Sequence, residues 1–156
     1  MIETAKQIVD KLKSRNETIA IAESLTGGAI SSALTDVPGT SHVLIGAIVA
    51  YSTDIKIREL GVSPESISKF GVVSQEVVLQ MADGIRSKFG SDWSIATTGV
   101  AGPGTSHGVA AGTVWIAILG PNTRESLLLS LAGDRDDVRR GAVESALATL
   151  ARILGL

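Results

Sequence analysis

Residues 18–37, TIAIAESLTGGAISSALTDV, contain the junction that decides the fold of this chain. Residues 18–24 combine β-branched and small apolar side chains up to a polar end, which predicts a buried strand. Residues 25–37 are mostly small, and they predict a helix that begins directly after the strand. A buried strand that runs straight into a helix is typical of α/β domains.

The same alternation of strands and helices extends in both directions along the chain. Strand patterns occupy residues 42–52, 92–99, 112–120 and 124–133, and helical patterns occupy 2–14, 53–62, 63–71, 74–90 and 134–154. The break at Pro121 and Asn122 between the last two strands favours a hairpin. We therefore expect one α/β domain over residues 1–156, with helices layered on a mixed β-sheet.

Periodicity and capping residues set expectations for individual helices. The first helix is predicted to bury one face made of Ile2, Ala5, Ile8, Val9 and Leu12. Thr53 suits an N-cap, and Ser74 and Gly90 suit the N-cap and C-cap of the helix over 74–90.

Composition and charge exclude several classes of function. The chain has a formal net charge of −2 and no run of Lys and Arg, so nothing in it indicates nucleic acid as a partner. It contains no Cys and 2 His, which excludes disulfides and thiolate catalysis and leaves little for a zinc site. We therefore expect neither a metal nor a cofactor.

The sequence predicts a protein without a membrane partner. The charged, amphipathic N-terminus lacks the apolar core and cleavage site of a signal peptide. The longest apolar run, HVLIGAIVAY (42–51), is shorter than the roughly 20 residues that a spanning helix needs. We expect a cytoplasmic protein, and the sequence leaves a homo-oligomer open.

Three polar segments follow predicted strands, where ligands gather in open α/β sheets. The first is Glu23-Ser24-Leu25-Thr26-Gly27-Gly28. Its serine can point into a cleft, its glycines let a ligand approach the backbone, and free N–H groups at a helix start favour an oxyanion. The alternative is structural, with Ser24 or Thr26 capping the helix.

The second segment is Tyr51-Ser52-Thr53-Asp54-Ile55-Lys56, which contains the only Tyr of the chain. A partly desolvated lysine loses proton affinity and can act as a base, and a neighbouring Tyr hydroxyl can relay the proton. The alternative is a strand-end Tyr and a solvated Lys. Glu23 and Asp54 are acids that can pair with Lys56 or with a metal.

The third segment is Thr97-Thr98-Gly99-Val100-Ala101-Gly102-Pro103-Gly104. Its glycines and proline make a shaped loop whose N–H groups can bind substrate oxygens, together with the Thr98 hydroxyl. A tight connection without a ligand is the alternative.

Arg135 and Arg139 lie four residues apart at the start of the last predicted helix. Because this spacing places them on one helical face, they can meet a phosphate together. They can equally form ion pairs with acids such as Asp134 and Asp136, and we slightly favour the ion pairs. His107 is expected to be a solvated loop residue.

Five motifs in this order, AESLTGG, GAIVAYSTDIKIRELGV, GVVSQEV, TTGVAGP and GTVWIAI, resemble the C-terminal domain of CinA proteins. That domain also occurs alone as nicotinamide mononucleotide (NMN) deamidase. The resemblance implies a three-layer α/β/α sandwich. It also implies hydrolysis of the nicotinamide amide of NMN to nicotinic acid mononucleotide and ammonia, so that the expected partner is a small nucleotide substrate.

The resemblance also implies roles for individual residues. Ser24 corresponds to the nucleophile of the family, and Tyr51 and Lys56 correspond to its activating partners. Together with the segments above, it gives the expected substrate-binding residues as Thr26, Gly27, Gly28, Thr98, Gly99, Gly102, Arg135 and Arg139. The N–H groups after Ser24 or around Gly99 and Gly102 are the expected oxyanion donors.

The segment over residues 105–111 departs from the family. The glycine-rich loop of family members often ends in Lys-Pro before GTV, and that lysine is absent here. The exact substrate therefore stays open. A second interpretation of the same segments is a catalytically weak nucleotide-binding or sensor module, which an ammonia-release assay with NMN separates from an enzyme.

Overall fold

The computed structural model describes residues 1–156 as a five-stranded sheet between two layers of helices. The strands are β1 (Ile19–Glu23), β2 (Leu44–Val49), β3 (Trp93–Gly99), β4 (Thr113–Gly120) and β5 (Thr123–Ser130). The helices are α1 (Ile2–Ser14), α2 (Ala29–Thr35), α3 (Thr53–Leu60), α4 (Pro64–Phe70), α5 (Gln75–Phe89) and α6 (Arg135–Leu154). None of these helices combines the length and apolar character needed to cross a membrane.

The sheet is mixed, with the strand order β2-β1-β3-β4-β5. β1 pairs in parallel with β2 and β3, while β4 pairs antiparallel with both β3 and β5. The predicted α/β class, the three layers and the terminal hairpin are therefore confirmed. Because the three parallel strands end at the same edge, the segments that follow them meet there.

The two faces of the sheet carry different side chains. In β1, Ile19 and Ile21 belong to the core under α1, α2 and α6, whereas Ala20 and Ala22 belong to the core under α3 and α5. Small residues on the second face let α5 pack close to the sheet. A Cβ at Gly84 of α5 would lie only 1.9 Å from the carbonyl oxygen of Leu60, so this glycine permits the contact between α5 and the end of α3.

Several local predictions are confirmed and others are wrong. Ser74 and Gly90 are the N-cap and C-cap of α5, as expected. The N-cap of α3 is Ser52 and not Thr53, because the Ser52 hydroxyl accepts the Ile55 N–H at 3.2 Å. Ile2 is 70% exposed and does not join the buried face of α1.

The start of α2 differs most from the prediction. The helix begins at Ala29 and not at residue 25, and neither Ser24 nor Thr26 caps it. Its first N–H groups, those of Ile30 and Ser31, instead donate to the buried carboxylate of Glu23, each at 3.0 Å. These N–H groups are therefore occupied and do not face a ligand. Residues 25–28 form turns between β1 and α2.

Candidate active site

A cavity of about 370 Å³ opens where the three parallel strands end. This volume lies within the usual range of small-molecule sites, roughly 300–1,000 Å³. All three predicted segments contribute to its wall, and the loop from Pro103 to His107 and the side chain of Arg135 complete it. The cavity wall contains no Asp or Glu, and its cationic or titratable side chains include Lys56, His107 and Arg135.

Ser24 lies at the end of β1 with its side chain in the wall of this cavity. The residue is only 7% exposed. Its N–H donates to the Thr97 hydroxyl at 3.2 Å, and that hydroxyl also bonds the Thr26 hydroxyl at 3.0 Å. Two buried threonines therefore fix the backbone of Ser24 and, with it, the position of its side chain.

Lys56 reaches this serine from α3. Its Nζ lies 2.9 Å from Ser24 Oγ, 2.8 Å from the Ala50 carbonyl oxygen and 3.2 Å from the Tyr51 carbonyl oxygen. The side chain is 2% exposed and forms no ion pair, so the alternative of a solvated lysine is wrong. Burial disfavours the charged form and lowers the pKa of Lys56 from 10.5 to about 8.

The three oxygen atoms around Lys56 can accept all three N–H groups of a protonated amine, and they also accommodate a neutral amine. Such an amine has two N–H groups and one lone pair. The two backbone carbonyls can accept both N–H groups, which leaves the lone pair facing the Ser24 hydroxyl. This arrangement can draw the proton from a serine that attacks an electrophile.

The Tyr51 hydroxyl has a different partner from the one expected. The Tyr51 residue is 59% exposed, and its hydroxyl accepts a hydrogen bond from the Arg135 guanidinium at 3.1 Å. It makes no hydrogen bond to Lys56 or Ser24, and only the Tyr51 backbone carbonyl contacts the lysine. The same guanidinium donates to the Gly102 carbonyl at 2.7 Å, so Arg135 links two of the three segments.

The two arginines of α6 that were singled out form no ion pairs, so the slightly favoured prediction of ion pairs with Asp134 or Asp136 is wrong. Arg139 donates to the carbonyl oxygens of Leu25 and Thr26, at 3.0 and 3.2 Å. Backbone carbonyls satisfy this guanidinium in place of acids.

The expected substrate-binding residues separate into two groups. Those that line the cavity are Thr98, Gly99, Gly102 and Arg135. Those that do not line it are Thr26, Gly27, Gly28 and Arg139. Thr26 is fully buried behind the wall, and the two glycines have positive φ values that the turn requires. The Thr98 hydroxyl donates to the Val72 carbonyl at 3.0 Å.

Two residues of the cavity wall, Val72 and Val73, belong to the motif GVVSQEV, but the sequence analysis predicted no site role for them. Val72 and Val73 contribute to the wall although they follow no strand, because the turn between α4 and α5 folds over the Thr98 hydroxyl. His107 is exposed, as predicted, and it also lines the cavity. No cluster of three or more His, Asp or Glu side chains is arranged to hold a metal ion.

Comparisons with known proteins place the chain in a family. The family model described as the CinA C-terminal domain matches residues 1–154. A CinA-like protein from Fervidobacterium nodosum is 45% identical over 146 residues, covering 93% of this chain and 36% of that protein. A CinA-like protein from Prochlorococcus marinus is 45% identical over 152 residues, covering 95% and 36%. The chain thus spans about a third of the length of these relatives.

Solved structures share the whole fold. A competence or damage-inducible protein from Enterobacter asburiae superposes with a TM-score of 0.96 at 37% identity, covering 98% of this chain and 97% of that one. The competence damage-inducible protein A from Klebsiella pneumoniae gives a TM-score of 0.95 at 33% identity, covering 99% and 96%. The chain belongs to the CinA C-terminal domain family.

Proposed function

We propose that this domain is an amidohydrolase that converts NMN and water to nicotinic acid mononucleotide and ammonia. The observation that carries the proposal is the 2.9 Å contact between Ser24 Oγ and Lys56 Nζ in the cavity wall. Lysines are seldom buried unless they are paired, and Lys56 has no acidic partner. Its amine bonds two backbone carbonyls, and a role as the base for a nucleophilic serine explains why it also reaches Ser24.

In the first half of the reaction, Ser24 Oγ attacks the carboxamide carbon of the nicotinamide ring. Lys56 Nζ accepts the hydroxyl proton as the Oγ–C bond forms. The tetrahedral intermediate then collapses, the C–N bond breaks, and the protonated Lys56 returns the proton to the departing ammonia. This leaves a nicotinyl ester on Ser24.

In the second half, water attacks the ester carbonyl. Lys56 accepts a proton from the water, and it returns this proton to Ser24 Oγ as the ester bond breaks. The acid product leaves and the serine is regenerated. Every proton moves through the single amine, so the proposal assigns no proton transfer to Tyr51. We assign the Tyr51 hydroxyl the task of orienting Arg135.

The charge of the cavity favours an anionic substrate. Its wall contains the Arg135 guanidinium and lacks any carboxylate, although the whole chain has a formal net charge of −2. A phosphate such as that of NMN meets no repulsion there. Arg135 lies at the cavity with a planar guanidinium suited to phosphate oxygens.

The test is release of ammonia from purified protein supplied with NMN, with nicotinamide riboside as a matched substrate that lacks the phosphate. We expect turnover of NMN and a kcat/KM roughly tenfold to 100-fold lower for the riboside, the scale of a lost charge-assisted hydrogen bond. Failure to release ammonia from NMN would reject the proposal. Binding of NMN by calorimetry without turnover would then support the binding or sensor module.

A further inference from the structure

The loop over residues 24–28 leaves the backbone N–H of Leu25, next to the cavity, without a partner. The Gly27 N–H donates to the Ser24 carbonyl at 3.0 Å. By contrast, the Leu25 N–H donates no hydrogen bond, although the residue is only 4% exposed. The N–H groups of Thr26 and Gly28 also lack a partner, but neither residue lines the cavity. Because buried N–H groups without partners are rare in folded proteins, the Leu25 N–H points to an acceptor that a ligand supplies.

The position of this donor suits an oxyanion. It directly follows Ser24, and Ser24 and Leu25 both line the cavity. Attack on an amide by a serine turns the amide oxygen into an anion, and backbone N–H groups next to the nucleophile are well placed to stabilise it. The start of α2 cannot serve instead, because Glu23 occupies its first N–H groups.

Arg139 holds the carbonyl side of Leu25 and of the residue that follows it. Its Nε donates to the Leu25 carbonyl at 3.0 Å, and a terminal nitrogen donates to the Thr26 carbonyl at 3.2 Å. The Leu25 N–H belongs to the preceding planar peptide group, whose Ser24 carbonyl accepts the Gly27 N–H. The Arg139 contacts on one side of Leu25 and this turn hydrogen bond on the other therefore fix the Leu25 backbone and the direction of its N–H.

Gly27 allows the loop to approach the Arg139 guanidinium closely. Its φ of +58° is a conformation that side chains rarely adopt. A Cβ there would lie 3.3 Å from the terminal nitrogen of Arg139, which is closer than most real Cβ contacts. The loop and the guanidinium therefore fit together with little space to spare.

We infer that Arg139 is a positioning residue that holds the Leu25 N–H in place as a donor of the oxyanion hole. It acts without touching the substrate, since it does not line the cavity. The inference rests on the proposed acyl transfer at Ser24 and goes beyond it. Two arginines one helical turn apart thereby have separate tasks, with Arg135 facing the cavity and Arg139 holding the loop.

The first experiment compares Arg139→Met with Arg140→Met, a matched control whose arginine is exposed and contacts only Asp137. With NMN, we expect Arg139→Met to lower kcat about 100-fold, the scale of one lost oxyanion donor, and to leave KM nearly unchanged. The control should match the wild type. A raised KM with an unchanged kcat would identify Arg139 as a substrate ligand and overturn the inference, as would no change in either.

Folding is checked by the melting temperature of each variant. If Arg139→Met does not fold, Arg139→Lys replaces it, because an ammonium keeps the charge but cannot donate to both carbonyls with the geometry of a guanidinium. We expect Arg139→Lys to lower kcat by an intermediate factor at an unchanged KM. A wild-type kcat in Arg139→Lys would overturn the inference.

The second experiment does not depend on NMN. A neutral alkyl fluorophosphonate reacts with an activated serine: the Ser24 Oγ–P bond forms, the P–F bond breaks, fluoride leaves, and the proton passes to Lys56. Its phosphoryl oxygen uses the same oxyanion donor. We expect slower labelling of Ser24 in Arg139→Met, by at least about tenfold, and normal labelling in Arg140→Met. If the protein shows this labelling pattern but does not hydrolyse NMN, the proposed substrate is rejected and the role of Arg139 is retained. Normal labelling in Arg139→Met would reject the role of Arg139.

Discussion

The Arg135 guanidinium donates a hydrogen bond to the Tyr51 hydroxyl at 3.1 Å, joining the first turn of α6 to the segment that follows β2. The sequence suggested a tyrosine that relays a proton beside Lys56. In the structure its hydroxyl instead accepts a hydrogen bond from an arginine at the cavity, and we assign it the role of orienting that arginine. The two roles have different kinetic consequences.

We therefore expect Tyr51→Phe to raise KM for NMN several-fold and to leave kcat within about threefold of the wild type, because substrate binding is weakened while the serine and its base are untouched. The free energy of unfolding should change by less than about 1.5 kcal/mol, the scale of one neutral hydrogen bond. Steady-state kinetics measure kcat and KM, and urea unfolding measures the free energy of unfolding. A large loss of kcat at an unchanged KM would instead support a proton relay through Tyr51.

The pH dependence of activity should report Lys56. Only the neutral amine accepts a proton, and burial lowers the pKa of Lys56 to about 8. The kcat/KM for NMN should therefore rise by about tenfold per pH unit below pH 8 and level off above it. A profile that is flat between pH 6 and 8 would argue against Lys56 as the base.

The substitution Lys56→Arg separates a base from an electrostatic role. The guanidinium keeps the positive charge but stays protonated, so it cannot accept the serine proton. We expect the Lys56→Arg variant to be as inactive as Lys56→Ala in the ammonia-release assay. Substantial recovery of kcat in the arginine variant would assign Lys56 to substrate attraction.

The stability of the protein should also depend on this amine. The pKa of Lys56 is 10.5 in the unfolded reference and about 8 in the folded protein. Between these values the unfolded state binds more protons, so stability rises with pH across this window, and below about pH 8 the full cost of about 3 kcal/mol is present. The free energy of unfolding should increase between pH 7.5 and 10 by about 2 kcal/mol more in the wild type than in Lys56→Met. Equal increases would mean that the lysine titrates normally.

Gly84 lets α5 pack against the end of α3, the helix that contains Lys56. Gly84→Ala places a methyl group against the Leu60 carbonyl at the end of α3, and we expect a loss of about 1–3 kcal/mol of stability together with reduced kcat. Gly141→Ala is the matched helical control, because its nearest neighbour is the flexible Leu131 side chain. The control should change stability by less than about 1 kcal/mol. A Gly84→Ala protein as stable and active as the control would contradict this account of the contact.

The features that were predicted correctly from the sequence depend mostly on local signals. The caps of α5 at Ser74 and Gly90 and the hairpin turn at Asn122 depend on residues within a few positions of each other, and all three are found in the structure. The meeting of the three polar segments was also predictable, since it follows from the parallel order of β1, β2 and β3.

The errors have other causes. The contacts of Arg139 with the 24–28 loop join residues more than a hundred positions apart. The contacts of Glu23 with α2 span only seven and eight positions, but they depend on the turns that delay the start of the helix to Ala29. The preference for ion pairs between Arg139 and nearby acids weighed only neighbours in sequence. Backbone carbonyls carry no signature in a sequence, so their use as arginine partners could not be anticipated.

The most direct test of the account is ammonia release from NMN by Ser24→Ala. Ser24 does not cap α2, so the variant should fold with the stability of the wild type within about 1.5 kcal/mol, the scale of its hydrogen bond to Lys56. We predict that kcat falls by more than about 10³-fold, because no other group in the wall offers a hydroxyl to Lys56. Turnover within tenfold of the wild type in a folded Ser24→Ala protein would contradict the central claim that this serine is the nucleophile.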